Sequence, residues 1–376
     1  MSSKQKEFKI PPVSPLIGCT VPNFFRVLTL GKVAPRYWPR LTLTFLVILI
    51  STPFQLAEYL YYRKKVKRFR FTKSPIFIIG HWRSGTTHLH NLLCKDPNHG
   101  FVTTYQGVFP NNLLTKWIFK TFMRIHIPET RPADNVRLSP DYPQEEEFAF
   151  GNMTKATFYH FFYFPSLNDQ LFDKYIRMHG LKEKERHSLK RKYNELLVKA
   201  ALNIRKDRMV VKNPANTGKI KLLLEMYPEA KFIYIYRNPV ITYLSTIKFY
   251  ASLLPSTCLE DYTTELVKEK VIQNYKNLMH DYFESKKLIP KENLIEIKFE
   301  DFDENNLDFL KRIYDHLGLE TWEDASPHLK TYALAHKHYK KNKYTITKPE
   351  LDKVLKEWSF AMERFGYEIP DNLDII

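Results

Sequence analysis

The residues Gly80-His81-Trp82-Arg83-Ser84-Gly85-Thr86-Thr87 have the composition of an anion cradle. Two glycines let the backbone fold tightly enough for successive N–H groups to converge on one point, and a helix opening at the threonines adds its N-terminal dipole there. Against the nucleotide-binding pattern G-x-x-x-x-G-K-[ST], the lysine is replaced by Thr86 and a cation sits inside the loop as Arg83. The missing lysine argues against a γ-phosphate. A second cation, Arg237, follows an apolar run at a point where a Mg²⁺-dependent nucleotidase usually carries an aspartate. Arginine there repels a metal and attracts another phosphate, and Ser245, eight residues on, adds a hydroxyl. No metal is expected.

A nucleotide ending in a sulfate has fewer charges and less need of Mg²⁺ than a triphosphate, so an arginine and two hydroxyls can hold it. Holding it demands a strand–turn–helix unit. Ile76-Phe77-Ile78-Ile79 is an apolar run suited to a buried parallel strand, with the loop and a helix after it. Arg208 to Val211 reads as a second strand ending at Lys212, and a helix is expected from about Ala215 to Met226. Lys231 to Tyr236 reads as a third strand, ending at Arg237, with Asn238-Pro239 as cap and first turn of a helix. Leu294 to Phe299 is a fourth, and Leu307 to Leu317 a helix behind it. Strands alternating with helices imply an α/β fold with a central parallel sheet flanked by helices, whose ligands bind beyond the carboxyl ends of the strands. Residues 167–206 read as two helices with a solvated basic face.

Taken together these segments resemble the sulfotransferases that use 3′-phosphoadenosine 5′-phosphosulfate. Ile76 to Thr87 is similar to the family's 5′-phosphosulfate loop, and Phe232-Ile233-Tyr234-Ile235-Tyr236-Arg237-Asn238-Pro239 with Ser245 to its 3′-phosphate motif. Val211-Lys212-Asn213-Pro214 matches the segment that brings a lysine to the transferring sulfonyl group, and Phe299-Glu300-Asp301-Phe302 with Leu317-Gly318-Leu319 is similar to a further family segment. The resemblance covers residue 71 to the C-terminus. It implies a three-layer P-loop-like fold, with Arg83, Ser84, Gly85, Thr86 and Thr87 on the 5′ side and Arg237 and Ser245 on the 3′-phosphate. Arg83 and Lys212 would then stabilise charge on the transferring group.

Two departures matter. Cytosolic members place a tryptophan after the loop threonines, where this chain has His88, and a histidine base two residues after the lysine, where it has Pro214. The base must come from elsewhere. Asp141-Tyr142-Pro143-Gln144-Glu145-Glu146-Glu147 resembles an acidic motif of the bacterial-type branch. Adjacent carboxylates raise one another's pKa when partly buried, which suits a general base. Neighbours on a helix diverge by about 100°, so one or two of the three can face a site. Glu145 is the expected base and Glu147 the second candidate. For each, an acidic helix N-terminus facing its own dipole is the alternative. The basic, aromatic stretch from His338 to Tyr344 resembles segments that close over the nucleotide; a solvated loop is the alternative.

Lys and Arg number 58 against 41 Asp and Glu, a net +17, which calls for an anionic partner. No zinc finger, RNP signature or helix-turn-helix supports nucleic acid. Cys19, Cys94 and Cys258 are too scattered for a disulfide framework or metal site and suit a reducing compartment. Leu41 to Ala57 carries no charge, is interrupted by Pro53 and closed by Glu58, and is flanked by Arg36 and Arg40 before it and by Arg63, Lys64, Lys65, Lys67, Arg68 and Arg70 after it. That pattern predicts an element on an anionic membrane surface, with a buried core helix or a spanning anchor as alternatives. The chain is expected to divide into a membrane-facing segment, 1–70, and a sulfotransferase domain, 71–376, peripheral to the inner face of a membrane. An aromatic middle, including Phe158 to Phe164, adds the expectation of a hydrophobic acceptor: a sterol, an isoprenoid or another lipid alcohol. The rivals are a carbohydrate sulfotransferase, a nucleotide-binding membrane protein without catalysis, and a kinase, the last disfavoured by Thr86 and Arg237.

Overall fold

The structure, a computed structural model, describes residues 12–127, 138–335 and 344–376. The stretch from His338 to Lys343 lies outside the described residues. Thr20 caps the first helix, α1 (Val21–Leu28), by accepting from the Asn23 amide, and Pro22 sits in its first turn, where a missing N–H is harmless. The second, α2 (Trp38–Arg68), runs for 31 residues and continues through Pro53, so the expected interruption does not occur. Proline inside a helix costs about 3 kcal/mol, but tertiary anchors flank it on both sides. The Ser14 amide donates to Thr44 Oγ1 at 2.8 Å, Gln55 Nε2 donates to the Cys19 carbonyl at 3.0 Å, and Glu58 pairs with Lys199.

The chain then runs through β1 (Ile76–Ile79), α3 (Thr86–Leu93), β2 (His99–Gly100), α4 (Thr104–Val108), α5 (Lys116–His126), α6 (Glu146–Met153), α7 (Asn168–Tyr175) and α8 (Glu183–Ile204). It continues with β3 (Arg208–Lys212), α9 (Ile220–Met226), β4 (Lys231–Tyr236), α10 (Pro239–Thr257), α11 (Thr264–Ser285) and β5 (Leu294–Lys298). After α12 (Phe299–Glu304), α13 (Asn306–His316) and α14 (Trp322–Ala335), the pair β6 (Tyr344–Ile346) and β7 (Leu373–Ile375) encloses α15 (Lys348–Phe365).

Strands β2-β3-β1-β4-β5, in that spatial order, form one parallel sheet. Alternation along the strands sorts their side chains into two cores. Phe77, Ile79, Val211, Phe232 and Tyr234 face one, with α8 and α11; Ile76, Ile78, Val210, Ile233 and Ile235 face the other, with α3 and α13. This is the expected three-layer arrangement. From β1 the sheet grows toward β3 on one side and β4 on the other, so the loops after these strands part and leave a crevice. Leu16, Phe24, Val27, Leu41 and Ile48 join the first core, so the described N-terminal residues pack into the same interior as the sheet.

Two expectations are corrected. The helix expected from Ala215 is a 3₁₀ turn, Pro214–Gly218, followed by α9, because Asn213 caps the turn and Thr217 is drawn to Gly80. Strand β5 stops at Lys298, since Phe299 already opens α12. The two-residue β2 and the β6–β7 pair were not foreseen.

Glu58 and Lys199 are both buried, at 1% and 3% exposure. Burial pushes the Glu58 carboxyl up despite its partner. Removing either group alone (Glu58→Ala or Lys199→Ala) is expected to cost about 3–5 kcal/mol in urea unfolding, whereas Glu58→Leu combined with Lys199→Met costs far less. If the double replacement loses as much as the singles added together, the pair does not anchor α2.

Candidate active site

The loop after β1 is held in a shape few sequences can adopt. Gly80 has φ 141° and lies so close to the Ile235 carbonyl that any Cβ would collide with it. Gly85, with φ 93°, sits against the Phe299 ring and admits no Cβ either. Between them Arg83 takes φ 71°, a left-handed conformation that non-glycine residues rarely hold and that recurs at ligand clamps. Thr217 fixes the start of the loop: its hydroxyl accepts from the Gly80 amide at 2.8 Å and donates to the Gly80 carbonyl at 3.0 Å. Thr86 and Thr87 then begin α3, with Ser84 and Thr86 buried.

The two cradle motifs meet. Arg83 Nε donates to Ser245 Oγ at 3.0 Å across 162 residues of sequence. The hydroxyl sits on α10, whose start is set by Asn238 accepting from the Val240 and Ile241 amides. Arg83 also lies 5.5 Å from the Phe249 ring centre. The Arg237 guanidinium lies 4.5 Å over the Phe299 ring, and burial pushes its pKa down. Its Nε is buried without a hydrogen-bond acceptor among the described residues. Arg237 borders a cavity of about 330 Å³ shared with Asn238, Lys298, Glu300, Tyr344 and Tyr367. A half-buried arginine whose buried Nε is an unused donor at a cavity wall suits an anionic ligand.

Lys212, at the end of β3, is 2% exposed. Its Nζ donates to Glu145 Oε1 at 2.5 Å and to Thr87 Oγ1 at 3.3 Å. The three glutamates therefore separate. Glu145 is the cap residue of α6, in extended conformation, and faces Lys212. Glu146 turns inward: its Oε1 accepts from Tyr193 Oη at 2.8 Å, Asn213 Nδ2 at 3.0 Å and Asn216 Nδ2 at 2.6 Å. Burial, and then the neighbouring charge of Glu147, push its pKa up. Glu147 is also buried, 2.7 Å from Lys219 Nζ, and accepts from Thr157 Oγ1 at 2.5 Å and Asn213 Nδ2 at 2.9 Å. Burial would raise its pKa, but the Lys219 charge and these donors outweigh it and hold the carboxyl below the usual range. The structure thus brings Glu145 to Lys212, which also reaches Thr87 of the loop, and places Glu147 in an interior network instead.

Burial pushes His81 down to about 4 and His90 to about 3, so neither is charged at neutral pH. His88, which stands where a tryptophan was expected, packs 5.5 Å from the Phe302 ring. Most of the Phe158–Phe164 run is core, but Tyr159 lies close enough to Glu145 to feel its charge, as does Tyr250. Trp82 packs on Phe158 at 5.7 Å. Asn213, Thr217, Lys219 and Thr157 were not singled out in the sequence; the one available signal was Asn213-Pro214 directly after a strand end, a capping dipeptide. They touch Gly80 and the glutamates and thereby position the residues that face the crevice.

The family model described as the sulfotransferase family matches residues 75–324. The omega-hydroxy-beta-dihydromenaquinone-9 sulfotransferase Stf3 of Mycobacterium bovis is 30% identical over 355 residues, covering 94% of this chain and 91% of its own. The protein of the same name from Mycobacterium tuberculosis aligns equally well. Among solved structures, sulfotransferase STF1 from Mycobacterium tuberculosis H37Rv superposes with TM-score 0.64 at 16% identity over 90% of both chains. Sulfotransferase STF9 from Mycobacterium avium gives TM-score 0.64 at 15% identity over 97% of this chain and 99% of its own. These two likenesses are of fold.

The inward glutamates should differ in their effect on stability. Glu147 has a depressed pKa, so its contribution is fully present above the ordinary value of 4.5 and is lost as pH falls through the lowered one. Glu146 has a raised pKa, so its ionisation penalises the fold increasingly as pH rises past 4.5. Glu147→Gln, which leaves Lys219 buried and unpaired, is expected to lose about 3–5 kcal/mol at pH 8. Glu146→Gln, which keeps its acceptor oxygen, is expected to be neutral or stabilising. Urea midpoints at pH 5 and pH 8 decide, and equal losses in both variants would contradict the assignment.

Proposed function

This chain belongs to the sulfotransferase family and is a sulfotransferase, and from that premise we propose that it transfers a sulfonyl group from 3′-phosphoadenosine 5′-phosphosulfate to the hydroxyl of a lipid alcohol at a membrane surface. The observation that carries this reading is one hydrogen-bonded chain: the Thr87 hydroxyl, the Lys212 ammonium and the Glu145 carboxylate, linked at 3.3 and 2.5 Å at the mouth of the loop. In this reading the three residues would supply the anion cradle, the charge stabiliser and the base that the reaction needs.

The nucleotide, when bound, supplies a sulfonyl group on a good leaving oxygen. The amides of Gly85, Thr86 and Thr87 hold the 5′-phosphate at the start of α3, the Ser84 amide being taken by the His81 carbonyl, and Arg237 with Ser245 holds the 3′-phosphate. Arg83, bonded to Ser245, links the loop after β1 to α10. Glu145 takes the acceptor's proton as the acceptor oxygen bonds to sulfur and the bridging S–O bond breaks. Lys212 neutralises charge on the departing bridging oxygen, and Arg83 on the sulfonyl oxygens. In the free enzyme Lys212 and Glu145 neutralise each other. A charge-assisted hydrogen bond of this kind is worth roughly 1.5–3 kcal/mol, and a donor anion near Lys212 competes for it, which frees Glu145 for the acceptor. Donor before acceptor is therefore the preferred order. Fixed donors and cations of this sort each contribute several kcal/mol to transition-state stabilisation.

Trp82, Tyr159, Phe249 and Tyr250 give the vicinity of Arg83 and Glu145 an aromatic character that suits an apolar acceptor. The Stf3 relatives act, by their name, on a hydroxylated dihydromenaquinone, and we infer an acceptor of the same class, a hydroxyl on a long apolar lipid.

Calorimetry is expected to show adenosine 3′,5′-bisphosphate binding at least tenfold more tightly than adenosine 5′-monophosphate, a preference that Arg237→Ala abolishes. Glu145→Gln should lower kcat by about 10²–10⁴ while changing bisphosphate affinity only a few-fold. Absence of any preference for the 3′-phosphate defeats the donor assignment. With radiolabelled donor and a total lipid extract, label should migrate with lipids; label found only on water-soluble sugars would replace the acceptor class and leave the reaction type standing.

A further inference from the structure

Helix α2 is amphipathic in the reverse of the usual sense. Its polar residues Thr44, Ser51, Gln55 and Glu58 point into the protein, where each is buried. Its large aliphatic residues point out: Leu46, Leu49, Ile50, Leu56 and Leu60 are between 45% and 69% exposed. A helix facing water on its outer side shows the opposite pattern, and an exposed apolar patch of this extent marks an interaction surface.

Three observations identify what covers it. First, Pro35–Arg68 is long and apolar enough to cross a membrane, yet its buried residues recur at three- and four-residue steps from Leu41 to Tyr62. The helix thus lies along the protein for roughly 30 Å, at 1.5 Å per residue. Crossing a bilayer would require it to abandon Lys199, the Cys19 carbonyl and the Ser14 amide. Second, the basic cluster from Arg63 to Arg70 continues directly from the apolar face, with most of its side chains exposed. The sole carboxylate between Pro35 and Arg70 is Glu58, already used internally by Lys199. A second copy laid on this face in parallel would meet cations with cations. Anionic headgroups complement them. Third, the patch is extended by Phe25, 51% exposed on α1 and 5.4 Å from Phe45, and by Trp117, 73% exposed on α5, which packs against α2 through Phe119 and Phe54.

We propose that α2 lies in the plane of an anionic membrane interface, its Leu and Ile side chains in the acyl boundary and the Arg63–Arg70 end on the headgroups. Burial of the apolar face supplies the attraction and the cations add a salt-sensitive part. The inference builds on the lipid acceptor reading, because the same surface would present the enzyme to membrane-dissolved alcohols.

The test uses the full chain, without donor or acceptor, in co-sedimentation with vesicles of phosphatidylcholine alone or mixed with phosphatidylglycerol. Binding is expected to be at least tenfold stronger to the anionic vesicles and to weaken in 0.5 M salt. Leu49→Ser/Ile50→Ser/Leu56→Ser, all on the outer face, should lower it more than tenfold with the thermal melt unchanged; Lys64→Glu/Lys67→Glu should remove the preference for anionic lipid. Release of the wild type by carbonate wash supports the in-plane geometry, and retention overturns it. A protein that ignores vesicles and is a dimer by light scattering, made monomeric by the triple variant, overturns the choice of occupant. An enzyme that sulfates a detergent-dispersed lipid alcohol but binds no vesicle defeats this inference alone. One that binds vesicles and sulfates only sugars defeats the acceptor reading alone.

Discussion

Three cations stand at the carboxyl ends of three neighbouring parallel strands: Arg83 beyond β1, Lys212 on β3 and Arg237 beyond β4. Like charges gathered out of bulk water raise the energy of the fold unless something opposes them. In this chain the opposition is uneven. Lys212 has the Glu145 carboxylate, Arg83 bonds the Ser245 hydroxyl and lies beside the Phe249 ring, and Arg237 lies over the Phe299 ring with one buried donor unused among the described residues. A ligand with anionic groups at two ends would add opposing charge at this edge of the sheet. The strained Arg83 backbone, the two glycines without room for Cβ and the Thr217 clamp on Gly80 all serve to hold the loop after β1 in one shape.

The start of α6 distributes three chemically equal residues among three environments. Successive side chains at a helix start diverge by about 100°, so a run of glutamates cannot act in unison. Glu145, still extended, reaches Lys212; Glu146 and Glu147 turn into the protein and hold the segment that follows β3. Asn213 bonds both inner carboxylates, while the residue before it carries the ammonium that meets the outer one. Placement of Lys212 and placement of Glu145 are therefore solved by the same few bonds, which is economical in sequence but makes the site sensitive to any change in the run.

How much of this was legible beforehand follows from the range of each signal. The loop, the strand before it and the Asn238 cap depend on residues close in sequence, and they stand where pattern reading put them. The parallel sheet and its crevice followed from the alternation of strands and helices. What could not be read depends on residues far apart. Whether Glu145 or Glu147 faces Lys212 is decided by how α6 sits against β3. The continuation of α2 through Pro53 is decided by Ser14, Cys19 and Lys199, each remote from the proline. Two-residue β2 and the β6–β7 pair are too short to leave a periodic trace.

The N-terminal helices are tied into the body of the protein. The charge-free run framed by cations has its inner face bound into the same interior as the sheet. Gln55 of α2 holds the Cys19 carbonyl; Cys19 Sγ lies 3.2 Å from Asn152 Oδ1, and Asn23 Nδ2 donates to the Gly151 carbonyl at 3.3 Å. Gly151 and Asn152 belong to α6, whose opposite end is Glu145. The apolar outer face of α2 and the carboxylate proposed as base are consequently two ends of one packed unit. A chain that had only to anchor itself would gain nothing by burying Thr44, Ser51, Gln55 and Glu58, since a polar inner stripe stabilises less than an apolar one unless each group finds a partner. Bonding Thr44, Gln55 and Glu58 to the body fixes the outer face relative to the crevice, a geometric constraint that a tethered anchor lacks.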